Sequence, residues 1–160
     1  MLFHIEQNID YETIIKEANN QNGYESFIDP KDGTIVEEWK IKKTNSGYSK
    51  KISNYYESFL ESNECKPRFY IQQKNWSLPF HKDRGTLCSI NYVLSNTNDK
   101  VTFKNYEESY KCALLNVQEE HSVTNLKEDR LLFKVSIFDK TYDEVLNILK
   151  TKKLEFISPK

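Results

Sequence analysis

HKDRGTLCSINYVLS, residues 81–95, and NVQEEHSVTNLKEDRLLFKVSIF, residues 116–138, hold the alternations that decide the fold. In the first, Cys88, Ile90, Tyr92 and Leu94 share one face of an extended segment. Leu87, Ser89, Asn91 and Val93 share the other. In the second, Leu131, Phe133, Val135 and Ile137 alternate with Arg130, Leu132, Lys134 and Ser136. Each strand thus has one apolar face and one mixed face. Two such strands suit an antiparallel sheet packed on a core, with a polar mouth on its other side.

The rest of the chain is read around these strands. Residues 2–6 read as a short strand. Tyr11, Ile14, Ile15 and Ala18 stand at helical spacing behind Asp10, a capping residue. Asp29-Pro30-Lys31-Asp32-Gly33 is a turn, and residues 34–42 alternate as a strand. Ile52, Tyr55, Tyr56, Phe59 and Leu60 mark a second helix. Residues 68–73, 101–104 and 111–117 read as further strands. Thr141 and Glu144 form a capping box for a last helix bearing Tyr142, Val145, Leu146 and Leu149. This order predicts a mainly β fold with flanking helices, a double-stranded β-helix (jelly roll, cupin-like). We expect one domain over 1–160: N-terminal support at 1–66, a jelly-roll core with the site at 67–138, and a helix and tail at 139–160.

Composition narrows the function. A net charge of −1 gives no bulk electrostatic attraction to nucleic acid or to an anionic membrane. No apolar run reaches the length of a membrane span, and MLFHIEQNIDYE does not read as a signal peptide. Cys65, Cys88 and Cys112 have no C-x-x-C spacing, which argues for reduced thiols, a cytoplasmic setting and no zinc ribbon.

The chemistry-bearing residues concentrate in the same region. His81 and Asp83 are two apart, and on an extended segment i and i+2 share a face. His121 is placed to supply a third ligand from a neighbouring strand, at the end of the 111–117 segment. Two imidazoles and a carboxylate make the facial triad of non-haem iron sites, with three octahedral positions left open. Arg130, nine residues after His121, begins the mixed face of its strand. If that face lines the mouth, its planar fork suits a carboxylate ligand. The residues alone leave plainer readings open. H-x-D is common in a chain with 24 acidic residues. His81 and His121 are also readable as turn histidines, and Arg130 as a surface partner of Asp129 or Glu128.

HKDRGTLCSINYVLS followed by HSVTN and DRLLFKVSIF resembles the core of the Fe(II)/2-oxoglutarate-dependent dioxygenases. The last two segments look most like the branch of aspartyl/asparaginyl β-hydroxylases and small microbial and phage relatives. The resemblance covers roughly residues 68–138. It implies His81, Asp83 and His121 as iron ligands and Arg130 as partner of the distal carboxylate of 2-oxoglutarate, the cosubstrate used with O2. Asn91 matches a position that carries a basic residue near the cosubstrate in that branch. Tyr70 and Gln72, together on the strand before His81, are placed to reach cosubstrate or substrate. Two departures stand out. Asp83 completes a triad whose carboxylate the aspartyl/asparaginyl hydroxylases replace, and Leu132 stands where many members have Ser. The implied reaction is oxidative decarboxylation of 2-oxoglutarate coupled to hydroxylation of a C–H bond. The substrate would be an amino-acid side chain, peptidyl or free, or another small metabolite. Rival readings are a non-catalytic jelly-roll module binding metal or ligand, and a cupin-type zinc or manganese enzyme; the latter has no use for Arg130. Oligomeric state is not legible.

Overall fold

The computed structural model describes residues 1–124 and 126–160. The elements in order are β1 (Leu2–His4), α1 (Tyr11–Asn19), β2 (Tyr24–Ile28), β3 (Ile35–Lys43), α2 (Gly47–Leu60), β4 (Cys65–Gln72), β5 (Leu78–His81) and β6 (Cys88–Val93). Then come β7 (Val101–Phe103), β8 (Glu107–Glu108), β9 (Cys112–Leu115), β10 (His121–Val123), β11 (Arg130–Ile137) and α3 (Tyr142–Thr151).

Seven strands form an antiparallel sheet in the order β1-β9-β6-β11-β4-β3-β2, and four form a smaller one, β5-β10-β7-β8. This is the jelly-roll architecture with flanking helices. The alternations of β6 and β11 explain the layering. Cys88, Ile90, Tyr92, Phe133, Val135 and Ile137 are buried with Ile14, Ile52, Tyr56, Leu60 and Val145, so one face of the large sheet is covered by the three helices. Tyr70, Val93, Ala113, Leu115 and Leu132 are buried instead with Val101, Phe103 and Val123 of the small sheet. The mixed face of β11 therefore points between the sheets and not to solvent.

Local chemistry sets the boundaries. Asp10 accepts from the Thr13 amide and Thr141 from the Glu144 amide, as their capping positions require. The β2–β3 turn closes through Asp29, which accepts from the Lys31 amide, with Gly33 at φ +74°. Strand β2 pairs β3, a partner the sequence pattern did not reveal. The expected division at 66/67 falls inside β4, and β1, β2 and β3 all extend the large sheet. Among the described residues no helix is long and apolar enough to cross a membrane. Cys65, Cys88 and Cys112 are free and buried.

Asp139 ties the end of β11 to the start of β4. Its carboxylate accepts from Ser62 Oγ and from the Asn63 amide, each at 2.6 Å. Burial acts to raise its pKa, but these hydrogen bonds win and hold it below the ordinary value. A depressed carboxyl contributes stability above its unfolded value of about 4, and that contribution is lost as pH falls. Asp139→Asn keeps only one acceptor oxygen. We expect it to lower the melting temperature at pH 7 and to approach wild type near pH 3, which parallel thermal melts would check.

Candidate active site

His81 closes β5, Asp83 follows two residues later, and His121 opens β10. The register pairs His121 directly with His81 on one side and with Phe103 on the other. His121 was expected at the end of the 111–117 segment. It instead begins a three-residue strand of its own, after a turn in which the Glu119 amide donates to Asn116 O. The two loops carrying the cluster brace each other. The Asp83 amide donates to Val117 O, and Gln118 Nε2 donates to the carbonyls of Asp83 and Thr86.

The three side chains converge. Asp83 Oδ1 lies 3.3 Å from His81 Nε2 and 3.5 Å from His121 Nε2, and the imidazole centroids are 4.4 Å apart. Each Nδ1 lies against a backbone carbonyl, His81 with Pro79 O at 2.8 Å and His121 with Glu119 O at 2.7 Å. A carbonyl only accepts, so in each neutral ring Nδ1 carries the proton and Nε2 the lone pair. Both lone pairs then face one carboxylate oxygen. That arrangement repels unless a cation lies among the three atoms. Ligand bonds of about 2.1 Å put neighbouring octahedral ligands about 3 Å apart, near the two distances found. The donors, a carboxylate and two carbonyl-anchored imidazoles, are those of a divalent transition-metal site. His81, Asp83 and His121 are the one such group of metal-ligating side chains among the described residues.

Asp83 has a second partner. Its Oδ2 accepts from Lys134 Nζ at 2.7 Å, in a pair whose side chains are 16% and 13% exposed. Burial works to raise the Asp83 carboxyl, yet the Lys134 ammonium holds it far below the ordinary range. Burial likewise works to lower the Lys134 ammonium, and Asp83 outweighs it, keeping the charged form favoured.

Arg130 heads the inner face of β11 and is 3% exposed. Its guanidinium donates to Gln72 Oε1 at 3.1 Å and to the Tyr110 hydroxyl at 2.9 Å, and lies over the Tyr110 ring at 5.7 Å. None of these partners is charged. Asp129, its sequence neighbour, accepts instead from the Lys74 amide. Among the described residues Arg130 has no carboxylate partner, which rules out the surface-pair reading. Isolated buried cations are expensive and are normally matched by an anion.

Strand register places the remaining residues. One row runs Trp39–Gln72–Arg130 across β3, β4 and β11. The next runs Ile41–Tyr70–Leu132–Val93, and the third Arg68–Lys134–Asn91–Ala113. The two buried cations are thus four residues apart on one face, about 13 Å along the strand, with an apolar row between them. Asn91 donates to the Tyr110 hydroxyl at 3.0 Å and accepts from Ser89, which joins it to Arg130 through one shared oxygen. Tyr70 lies under Lys134, with its ring centroid 5.6 Å from Nζ. Trp39 Nε1 and Ser136 Oγ are also buried without a partner among the described residues. Beside the cluster a cleft of about 720 Å³ is lined by Lys82, Phe103, Tyr106, Gln118 and Glu119.

No family model and no curated protein sequence matches this chain. Solved structures do. A prolyl hydroxylase from Trichoplax adhaerens, in complex with a hypoxia inducible factor oxygen degradation domain peptide fragment, matches with a TM-score of 0.67 at 12% identity. That match covers 96% of this chain and 87% of the other. A viral collagen prolyl hydroxylase from Paramecium bursaria Chlorella virus-1, a 2-oxoglutarate complex, matches at 0.59 and 9% identity, over 85% and 94%. A prolyl-4-hydroxylase from Pseudomonas putida matches at 0.58 and 12%, over 81% and 84%. The chain therefore shares the fold of these hydroxylases, a double-stranded β-helix. The narrower likeness to the aspartyl/asparaginyl branch gains no support from these neighbours.

Proposed function

We propose that this chain is an Fe(II)- and 2-oxoglutarate-dependent oxygenase that hydroxylates a C–H bond of an amino-acid side chain, peptidyl or free, or of another small metabolite. The observation that carries this reading is Arg130, a buried cation with no anionic partner among the described residues, on the same inner face that meets the His81, Asp83 and His121 cluster. A dicarboxylate ligand supplies the missing charge. The fold's neighbours support the reading, one as a 2-oxoglutarate complex and one as a peptide complex.

His81 and His121 would hold the metal through Nε2 and Asp83 through Oδ1. Pro79 O and Glu119 O fix the ring orientations. Iron when bound supplies the oxidising chemistry that couples cosubstrate decarboxylation to C–H hydroxylation. Arg130 binds the distal carboxylate, with Gln72 and Tyr110 holding its fork in place. Asn91 acts through Tyr110. Leu132, Tyr70 and Val93 match the methylene segment of the diacid and keep water from it. Leu132 in place of a serine therefore lines the cosubstrate with hydrocarbon and does not remove a charge partner. The cleft at Lys82 and Phe103 gives the substrate a place beside the metal.

The test is turnover of 2-oxoglutarate. Purified protein with Fe(II), a reductant and O2 is expected to release succinate, slowly without substrate and faster when an acceptor peptide or amino acid is present. Mass spectrometry should find one added oxygen on that acceptor. Wild type that binds iron and releases no succinate would leave a metal-binding module on the same fold.

A further inference from the structure

We propose that Lys134 is a positioning residue for the metal: it occupies one oxygen of Asp83, limits that carboxylate to coordination through the other, and so keeps a coordination position free for the cosubstrate. The inference rests on the oxygenase reading above and concerns a residue outside the triad.

The carboxylate is divided between two tasks. Oδ1 faces both imidazole Nε2 atoms, and Oδ2 takes the ammonium at 2.7 Å. A carboxylate free of such a partner can chelate a metal through both oxygens. Two imidazoles and a chelating carboxylate would fill four of six octahedral positions. An α-keto acid needs two and O2 needs one, so one-oxygen coordination is the condition for all of them to bind together.

The geometry that enforces this is stiff. Lys134 sits in the middle of β11, between Arg68 on β4 and Asn91 on β6, so its backbone is held from both sides. Its side chain is nearly buried, and Asp83 is its one hydrogen-bond partner among the described residues. The Tyr70 ring lies below it. Asp83 is fixed from its own side by the hydrogen bond that its backbone N–H donates to Val117 O. Neither partner can turn away without leaving a buried charge alone. The ammonium also draws charge from the carboxylate, which weakens Asp83 as a ligand.

These two effects separate positioning from mere structural support. In Lys134→Met the carboxylate regains both oxygens and its full charge. Co(II) alone, titrated into the metal-free variant, is then expected to bind about tenfold tighter than to wild type. 2-Oxoglutarate, titrated into the Co(II)-loaded variant, is expected to bind about tenfold weaker. Lys134→Arg, which retains charge and donors, should restore both values toward wild type. If Lys134→Met proves unfolded by circular dichroism, Lys134→Gln is measured in the same way. A folded variant in which both affinities fall together, or in which neither moves, overturns the proposal. Wild type that binds Co(II) and does not bind 2-oxoglutarate would instead overturn the oxygenase reading on which it rests.

Discussion

Replacing Arg130 by methionine is expected to raise the melting temperature of the ligand-free protein while removing most of its affinity for 2-oxoglutarate. Arg130 is 3% exposed, and the hydrogen-bond partners of its guanidinium among the described residues are two neutral oxygens, of Gln72 and Tyr110. A buried cation without an anion costs several kcal/mol, and the contact with the Tyr110 ring returns only about 1 kcal/mol. Methionine fills a similar volume without the charge. It leaves Gln72 Oε1 without its donor, while the Tyr110 hydroxyl keeps its bond from Asn91. We expect a net gain of about 1–2 kcal/mol, or roughly 5 °C for a chain of this size. Loss of one partner of a buried charge pair costs the complex about 2–5 kcal/mol, a fall in cosubstrate affinity of about 30-fold at the least and about 100-fold near 3 kcal/mol. Calorimetry without ligand and a 2-oxoglutarate titration on the metal-loaded protein check both signs. A variant that is less stable and binds 2-oxoglutarate normally would make Arg130 a structural residue.

The second large effect is expected at Asp83. Asp83→Asn leaves the Lys134 ammonium nearly buried with no anion. Breaking a buried pair from one side costs about 3–5 kcal/mol, which corresponds to a melting temperature lower by roughly 10 °C. The same substitution removes the anionic metal ligand. Wild type with a divalent metal at a hundred times its Kd gains about 2.7 kcal/mol, and we expect the variant to gain almost nothing. The double variant Asp83→Asn with Lys134→Met separates the two losses: stability should largely return, and the response to metal should not. Retention of full metal-dependent stabilisation in Asp83→Asn would exclude this carboxylate as a ligand.

The features legible in the sequence were those with a period. The two-faced alternations of residues 86–94 and 130–137 identified the central strands and their core faces. The helices were readable from their spacing and from Asp10 and Thr141. Strands β8 and β10 have two and three residues, too few for any period to register. Strand β2 is built on a bulged pairing with β3, so its side-chain pattern is interrupted. For the same reason His121 read as a strand end when it is a strand start.

Within the candidate site, His81, Asp83 and His121 are read from spacing together with resemblance, and the structure brings one ligand atom of each within 4.8 Å of the others. Lys134 was missed as a site residue, although the signal was present. It shares a face with Arg130 at i+4, so a face turned inward for one cation is turned inward for both. A lysine on a strand reads as solvated, and the alternation does not show that Asp83 and the Tyr70 ring meet it on the inner face. Tyr110 had no readable signal. It lies in the connection before β9, and its role comes from Asn91 and Arg130 meeting at its hydroxyl.

On the proposed function, one inner face binds a divalent iron through His81, Asp83 and His121 and a dicarboxylate through Arg130. An anaerobic titration of the metal-free protein with Fe(II) and 2-oxoglutarate tests it directly, through the weak visible charge-transfer absorption of an iron-bound α-keto acid. The predicted result is a band in wild type, no band in His121→Ala, and a band in Arg130→Met that needs about 100-fold more cosubstrate. Folded wild-type protein that binds iron and shows no band at any cosubstrate concentration would contradict the account.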